Sequence, residues 1–223
     1  MNKAATLAVI GVGALVAYRA FKAYSEVYGD GAVDGGDSGG SWLGSVEDVL
    51  SGTAQTIDEL TGGFMNISAM ARVDESLVDN TNVRAFLAVI RTGEGTTGPS
   101  GYKTLFGGGT FESLADHPKV VVKKSGYAST AAGAYQALAS SWEETKRIMK
   151  LPDFGVRSQD LFALGRIVAR GALADVVNGR FASAIAKVNK EWASMPGSPY
   201  GQPALTLAKA EAVFKANGGK VVA

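Results

Sequence analysis

Residues 29–41, GDGAVDGGDSGGS, place one valine and one alanine among glycines, aspartates and serines. Such a run has too little apolar surface to offset the entropy of ordering it, so it reads as a flexible, solvated tether. It cuts the 223-residue chain in two, and whatever packs must do so on one side or the other.

Ahead of the tether, residues 4–18, AATLAVIGVGALVAY, carry no charge and follow Lys3. As a helix this run is roughly 22 Å long against a hydrocarbon core of ~30 Å, unless Tyr18, Phe21 and Tyr24 extend it through the interface. Arg19, Phe21 and Lys22 stand where a secretory signal has its small-residue cleavage site, which favours an uncleaved membrane helix within residues 1–28. After the tether, Trp42, Leu43, Val46, Val49 and Leu50 recur at helical spacing, with Ile57 and Leu60 continuing that face to Gly62-Gly63. That pattern predicts an amphipathic helix suited to docking, followed by a connector to residue 80.

Charge divides the chain at nearly the same place. Residues 30–80 hold ten acids and one base, Arg72, whereas residues 81–223 hold eighteen Lys and Arg against ten Asp and Glu. A basic domain suits an anionic polymer, and charge alone leaves open which one. The absence of cysteine excludes disulfides, thiolate metal sites and thiol nucleophiles. A single histidine, His117, excludes a multi-histidine metal centre. No cofactor or metal is expected. The triple glycine at 107–109 lacks the Lys-Ser/Thr ending of a phosphate loop, so nucleotide binding is rejected, and no nucleic-acid partner is expected.

From residue 81 onward the pattern is that of a folded domain. Asn80 or Thr81 can cap a helix with Val83, Phe86, Leu87 and Ile90 on its apolar face. KVVVKK, 119–124, is the best strand candidate. A helix is expected from Thr130, carrying Tyr135, Leu138 and Trp142; a second is capped at Ser158 and presents Leu161, Leu164 and Val168, with Gly171 past its end. Phe181, Ile185, Val188 and Trp192 form a third stripe, and a last helix spans about 204–216. Without βαβ alternation the expected class is α+β, mainly helical with a small β region.

Within this domain the stretch VIRTGEGTTG, 89–98, sets one carboxylate, Glu94, between two glycines at the end of a helix. The negative end of the helix dipole there disfavours the charged carboxylate and raises its pKa. A carboxyl protonated near neutral pH is what a general acid needs, and flanking glycines let a bulky sugar approach the backbone.

Six short motifs follow one another in order: GEGT (93–96), SGYKTLFGGGTF (100–111), DHP (116–118), STAAGAYQ (129–136), RSQD (157–160) and WASMPGSPYGQ (192–202). Together they resemble the phage lambda endolysin family, lysozyme-fold murein lytic transglycosylases, over roughly residues 82–217. The resemblance implies a lysozyme-like fold for 81–223 and places Glu94 where the family has its single catalytic acid. It implies a sugar groove bordered by Tyr102, Gly107 and Gly108. Ser129, Tyr135 and Gln136 come from the STAAGAYQ motif, with Tyr135 and Gln136 beside the acid, and Tyr200 and Gln202 stand on the other wall. The family's lambda member has serine at position 93, glycine at 131 and arginine at 134, where this chain has Gly93, Ala131 and Ala134.

The chemistry implied is cleavage of the MurNAc–GlcNAc bond with formation of 1,6-anhydromuramic acid. Glu94 protonates the glycosidic oxygen, then takes the proton of the muramic 6-hydroxyl as that hydroxyl closes on its own anomeric carbon. An ordinary glycosidase needs two carboxylates; an intramolecular nucleophile replaces the second by positioning. In T-even phage lysozymes an aspartate stands nine residues after the glutamate, and here that position is Lys103. Two alternatives stay open: a muramidase that uses water, and a non-catalytic virion protein that binds glycan through a lysozyme-like fold. The expected partners are peptidoglycan strands, a membrane through residues 4–18, and other virion proteins through residues 42–60. The expected location is a phage virion membrane or the host inner membrane facing the periplasm.

For several of these residues an ordinary structural role competes with the functional one. Tyr102, Tyr135 and Tyr200 are also typical half-buried aromatics, and Gln136 and Gln202 typical structural hydrogen-bonders. Trp142 and Trp192 lie on apolar stripes and are expected in the core. His117 is expected to fix its loop.

Overall fold

The computed structural model describes residues 67–124 and 127–222. The expected membrane helix (1–28), tether (29–41) and amphipathic helix (42–60) lie outside the described residues.

A short helix α1 (Ile67–Met70) and a 3₁₀ turn (Glu75–Asp79) lead into the central helix α2 (Thr81–Gly93). Asn80 caps α2, its Oδ1 accepting the backbone N–H of Asn82 and Val83 at 2.9 and 3.2 Å, an arrangement worth roughly 1 kcal/mol. The stripe Val83, Phe86, Leu87 and Ile90 is buried as expected. Phe86 meets Phe181 and Phe214 edge-on at ring separations of 5.9 and 6.4 Å, so two helices distant in sequence close behind α2. Those partners belong to α6 (Phe181–Val188) and α7 (Leu207–Ala216), which follow α3 (Ala139–Met149), α4 (Val156–Ala169) and α5 (Leu173–Val177).

Helix α4 is buried on nearly every side, from Leu161 to Ala169. It packs against α1 and α3, and a Cβ at Gly165 would come within 2.5 Å of the Met149 sulfur. Met70 and Val78 belong to this core, so the packed unit begins ahead of residue 81. A second aromatic group centres on Phe154, with Trp142 at 4.6 Å and His117 at 4.9 Å.

The β region is one hairpin, β1 (Val122–Lys124) antiparallel to β2 (Tyr127–Ser129), paired from Val122 with Ser129 to Lys124 with Tyr127. The strand expected over 119–124 is therefore only its second half; Lys119 takes a left-handed conformation at φ 54°, and Val120 and Val121 are exposed.

The helix expected from Thr130 is a correction. Residues 130–138 form a tight loop in which Ala132 bridges both Leu105 and Ala137. Gly133 and Gln136 have φ of 78° and 47°, which no right-handed helix accommodates. The hydroxyl of Thr130 nevertheless caps, accepting the N–H of Ala139 at 3.1 Å, nine residues on, where α3 begins. Ser158 is likewise not a cap: α4 starts two residues earlier, and Ser158 donates from inside its first turn to Asp153 at 2.8 Å.

Candidate active site

Helix α2 delivers Glu94 as its C-terminal cap. The Glu94 N–H reaches Ile90 O at 2.9 Å, the Gly95 N–H reaches Thr92 O at 3.3 Å, and the Thr96 N–H reaches Arg91 O at 2.9 Å. The last two of these bonds need a left-handed residue at Gly95, which has φ 70°. Gly93 serves a different purpose: a Cβ there would stand 2.5 Å from the Ser194 hydroxyl and 2.8 Å from the Met195 side chain, so with any larger residue these side chains would have to shift. One glycine turns the chain and the other admits a neighbouring loop.

That loop, 191–195, brings Ser194 to Glu94, its hydroxyl donating to Oε1 at 2.6 Å. Glu94 is half-buried. Burial pushes this carboxyl up to about 7, and the Ser194 hydrogen bond pulls in the opposite direction. The raised value matches the expectation from sequence; the cause is burial.

A cleft of about 310 Å³ opens here. Of the expected site residues it gathers Glu94, Gly107, Ser129, Gln136 and Gln202. Sequence reasoning had left out Phe106, Glu191 and Ser194 and had assigned Trp192 to the core. Trp192 does both: it is buried, its Nε1 donates to Tyr135 O at 3.1 Å, and it lines the cleft. Trp192 and Ser194 stand in the WASMPGSPYGQ motif, which was the available signal.

Tyr102, Gly108, Tyr135 and Tyr200 do not line this cleft. Tyr102 and Tyr135 turn their rings into a separate cavity of about 620 Å³, beside Arg84, Arg91 and Asp160. Their hydroxyls both donate to Asp160 Oδ1, at 2.8 and 2.6 Å. Burial raises Asp160 above the usual carboxylate range against the pull of those hydrogen bonds, and burial together with the nearby Asp160 charge pushes Tyr102 up to about 12. Tyr135, expected beside the acid, meets the cleft-lining Trp192 through its backbone carbonyl, while its hydroxyl is bound to Asp160. Tyr200 donates to Lys190 O at 3.1 Å, and exposed Gly108 has φ 97° in the turn that follows Phe106.

Glu191 is a second carboxylate in the cleft lining, and it is fully engaged. Arg166 Nε reaches Oε1 at 2.7 Å and Arg170 Nε reaches Oε2 at 2.8 Å. Burial alone would raise it, but the two guanidinium charges hold it below the usual range.

The remaining motif residues build the frame. Buried Gln159 accepts the Ala134 N–H at 2.8 Å and donates to Tyr102 O and Phe154 O at 2.9 and 2.7 Å, tying three loops together. His117 Nδ1 accepts from the Lys119 N–H at 3.0 Å, so Nε2 carries the proton and donates to Ala137 O at 2.9 Å. Burial keeps this imidazole neutral, below its ordinary pKa. Among the described residues no cluster of His, Cys, Asp and Glu has the arrangement of a metal site.

The family model described as Endolysin matches residues 84–221. The chain belongs to the endolysin family. It is 38% identical over 149 residues to the endolysin of Escherichia phage lambda, covering 64% of this chain and 94% of that one. It is 36% identical over 154 residues to the endolysin of Escherichia phage P2, covering 62% and 93%. Two solved structures agree. One is bacteriophage lambda lysozyme complexed with a chitohexasaccharide, 37% identical with a TM-score of 0.62, covering 64% of this chain and 97% of that one. The other is lysozyme from bacteriophage lambda, 35% identical with a TM-score of 0.57 and the same two coverages.

This endolysin is therefore a lysozyme-like α+β glycosidase that degrades peptidoglycan. The expected location in a virion membrane or host inner membrane is corrected. Its relatives are endolysins whose length is almost wholly accounted for by the aligned region. Among the described residues, no helix is long and apolar enough to cross a membrane. The expectation rested on residues 4–18, whose apolar run is short for a span. Nothing in these comparisons supports a membrane or virion-protein partner.

Proposed function

We propose that this endolysin is a lytic transglycosylase with Glu94 as its single catalytic residue, acting first as acid and then as base. The observation that carries the reading is the unequal state of the two carboxylates of the cleft. Glu94 has a hydroxyl partner and a carboxyl pushed up to about 7, so it holds a proton near neutral pH. Glu191 is bound by two arginines and is not available to activate a water. An attacking group carried by the substrate itself supplies what the second carboxylate would otherwise do.

In this mechanism Glu94 gives its proton to the oxygen between MurNAc and GlcNAc as the C1–O bond breaks. The resulting carboxylate then receives the proton of the muramic 6-hydroxyl as O6 bonds to C1. The chitohexasaccharide bound by lambda lysozyme supports a glycan strand as occupant of the cleft. Gln136 and Gln202 supply amide contacts to its hydroxyls, Gly107 and Ser129 line its path, and Phe106 and Trp192 offer apolar faces. Tyr102, Tyr135, Gly108 and Tyr200 support the groove from behind or beside it.

Purified murein digested with the full-length protein, with Glu94→Gln alongside, tests this by mass spectrometry of the products. Fragments lacking one water per cut, absent with the variant, support the transglycosylase. Fragments with ordinary reducing ends mean a hydrolase, and bound but uncut murein means a glycan-binding protein.

A further inference from the structure

The Glu94 carboxyl has two oxygens, and the structure treats them differently. We infer that Ser194 is a positioning residue that fixes which oxygen of Glu94 carries the transferable proton: by donating to Oε1 it leaves Oε2 as the reacting oxygen. The inference rests on the proposed role of Glu94 and adds a second residue to it.

Geometry carries the assignment. A hydroxyl 2.6 Å from Oε1 that donates its own hydrogen occupies one lone pair of that oxygen and makes it the less basic of the two, so the proton is favoured on Oε2. The donor is not a mobile surface serine, because the segment that carries it is tied down at several points. Glu191 is held by Arg166 and Arg170 at 2.7 and 2.8 Å. Trp192 donates to Tyr135 O at 3.1 Å, Met195 is fully buried, and Ser194 O accepts the Leu205 N–H at 2.9 Å. Beneath it, the bare Cα of Gly93 permits the approach, since a Cβ there would lie 2.5 Å from the serine oxygen. The Arg–Glu191 pairs, which take no part in the chemistry, thereby acquire a purpose: they anchor the strap that presents Ser194.

The cycle balances with Ser194 keeping its proton throughout. Oε2–H protonates the glycosidic oxygen as C1–O breaks; the anion is then held by Ser194 on Oε1; Oε2 takes the proton of the 6-hydroxyl as O6–C1 forms. The same hydrogen bond offsets part of the burial that disfavours the anion, so the group can serve in both halves of the cycle.

The test compares the full-length protein with Ser194→Ala, Ser194→Thr and Gly93→Ala, reading kcat and KM against pH and the titration of carboxyl-¹³C glutamate by NMR. Ser194→Ala is expected to lower kcat about tenfold to a hundredfold, the range of one hydrogen bond to a charged group. KM should hold, and both the alkaline limb and the Glu94 titration should move to higher pH. Ser194→Thr restores the hydroxyl and the profile; Gly93→Ala displaces it and shifts both readouts in the direction of Ser194→Ala. Loss of rate at every pH with no movement of the limb or the titration would reduce Ser194 to a packing role and overturn the inference. An inactive Glu94→Gln beside a Ser194→Ala of wild-type kcat and titration overturns this inference alone. An active Glu94→Gln overturns the proposed function itself.

Discussion

Glu94 and Glu191 are the same side chain lining the same cleft, and they are in opposite states. Glu94 ends a helix, has one hydroxyl partner, and is pushed up to about 7 by burial. Glu191 follows α6, carries two arginines at 2.7 and 2.8 Å, and is held below the ordinary range although it too is buried. Burial sets the direction only when no charge answers it. The first acid is therefore fit to give a proton and the second to hold a strap in place.

The largest expected effect breaks the Glu94 side of that contrast. Glu94→Gln keeps the shape and removes the proton, and murein cleavage should fall by about 10³, within the usual range for losing a general acid. A residual rate within tenfold of wild type in a turbidity assay would mean that the acid lies elsewhere.

The next effect breaks the Glu191 side. Arg166 is 2% exposed and bonds both Glu191 and Glu144, so Arg166→Met leaves buried carboxylate charge under-compensated. Stability at pH 7 should drop by about 3 kcal/mol in urea denaturation. A change below about 1 kcal/mol would show that Arg170 alone suffices.

A third prediction uses the same Glu94→Gln variant as a stability probe. The folded pKa is raised above the ordinary carboxylate value, so protonation favours the fold at low pH and that advantage is lost as pH rises through about 7. The variant should match wild type near pH 4 and become the more stable by about 2 kcal/mol above pH 7. Parallel pH dependences for the two would place the carboxyl in solvent.

The smallest effect concerns Gly95, where a Cβ meets nothing within 4 Å but φ is 70°. Gly95→Ala should cost about 1 kcal/mol from backbone strain alone, visible as a lower melting temperature with the Glu94 titration unmoved. A shifted titration would show that the turn also sets the acid's depth.

The helical stripes were legible because their periodicity is local: Val83 to Ile90, Leu161 to Val168 and Phe181 to Val188 all face the core. The loop 130–138 was not, because its conformation depends on bridges to Leu105 and on Gln159 reaching the Ala134 N–H from α4. Motif order placed Glu94, Gly107, Ser129, Gln136 and Gln202 in one cleft, while the direction of the Tyr102 and Tyr135 rings depended on Asp160, 58 and 25 residues away.

By itself the sequence determined the main apolar helical stripes, the family resemblance and the single acid at a glycine-flanked helix end, since each of these is written in neighbouring residues. Only the tertiary structure decided what that acid is. A carboxyl takes its protonation from the groups folded around it. Here those are a serine 100 residues downstream for Glu94, and for Glu191 two arginines that the sequence alone had given no reason to pair with it.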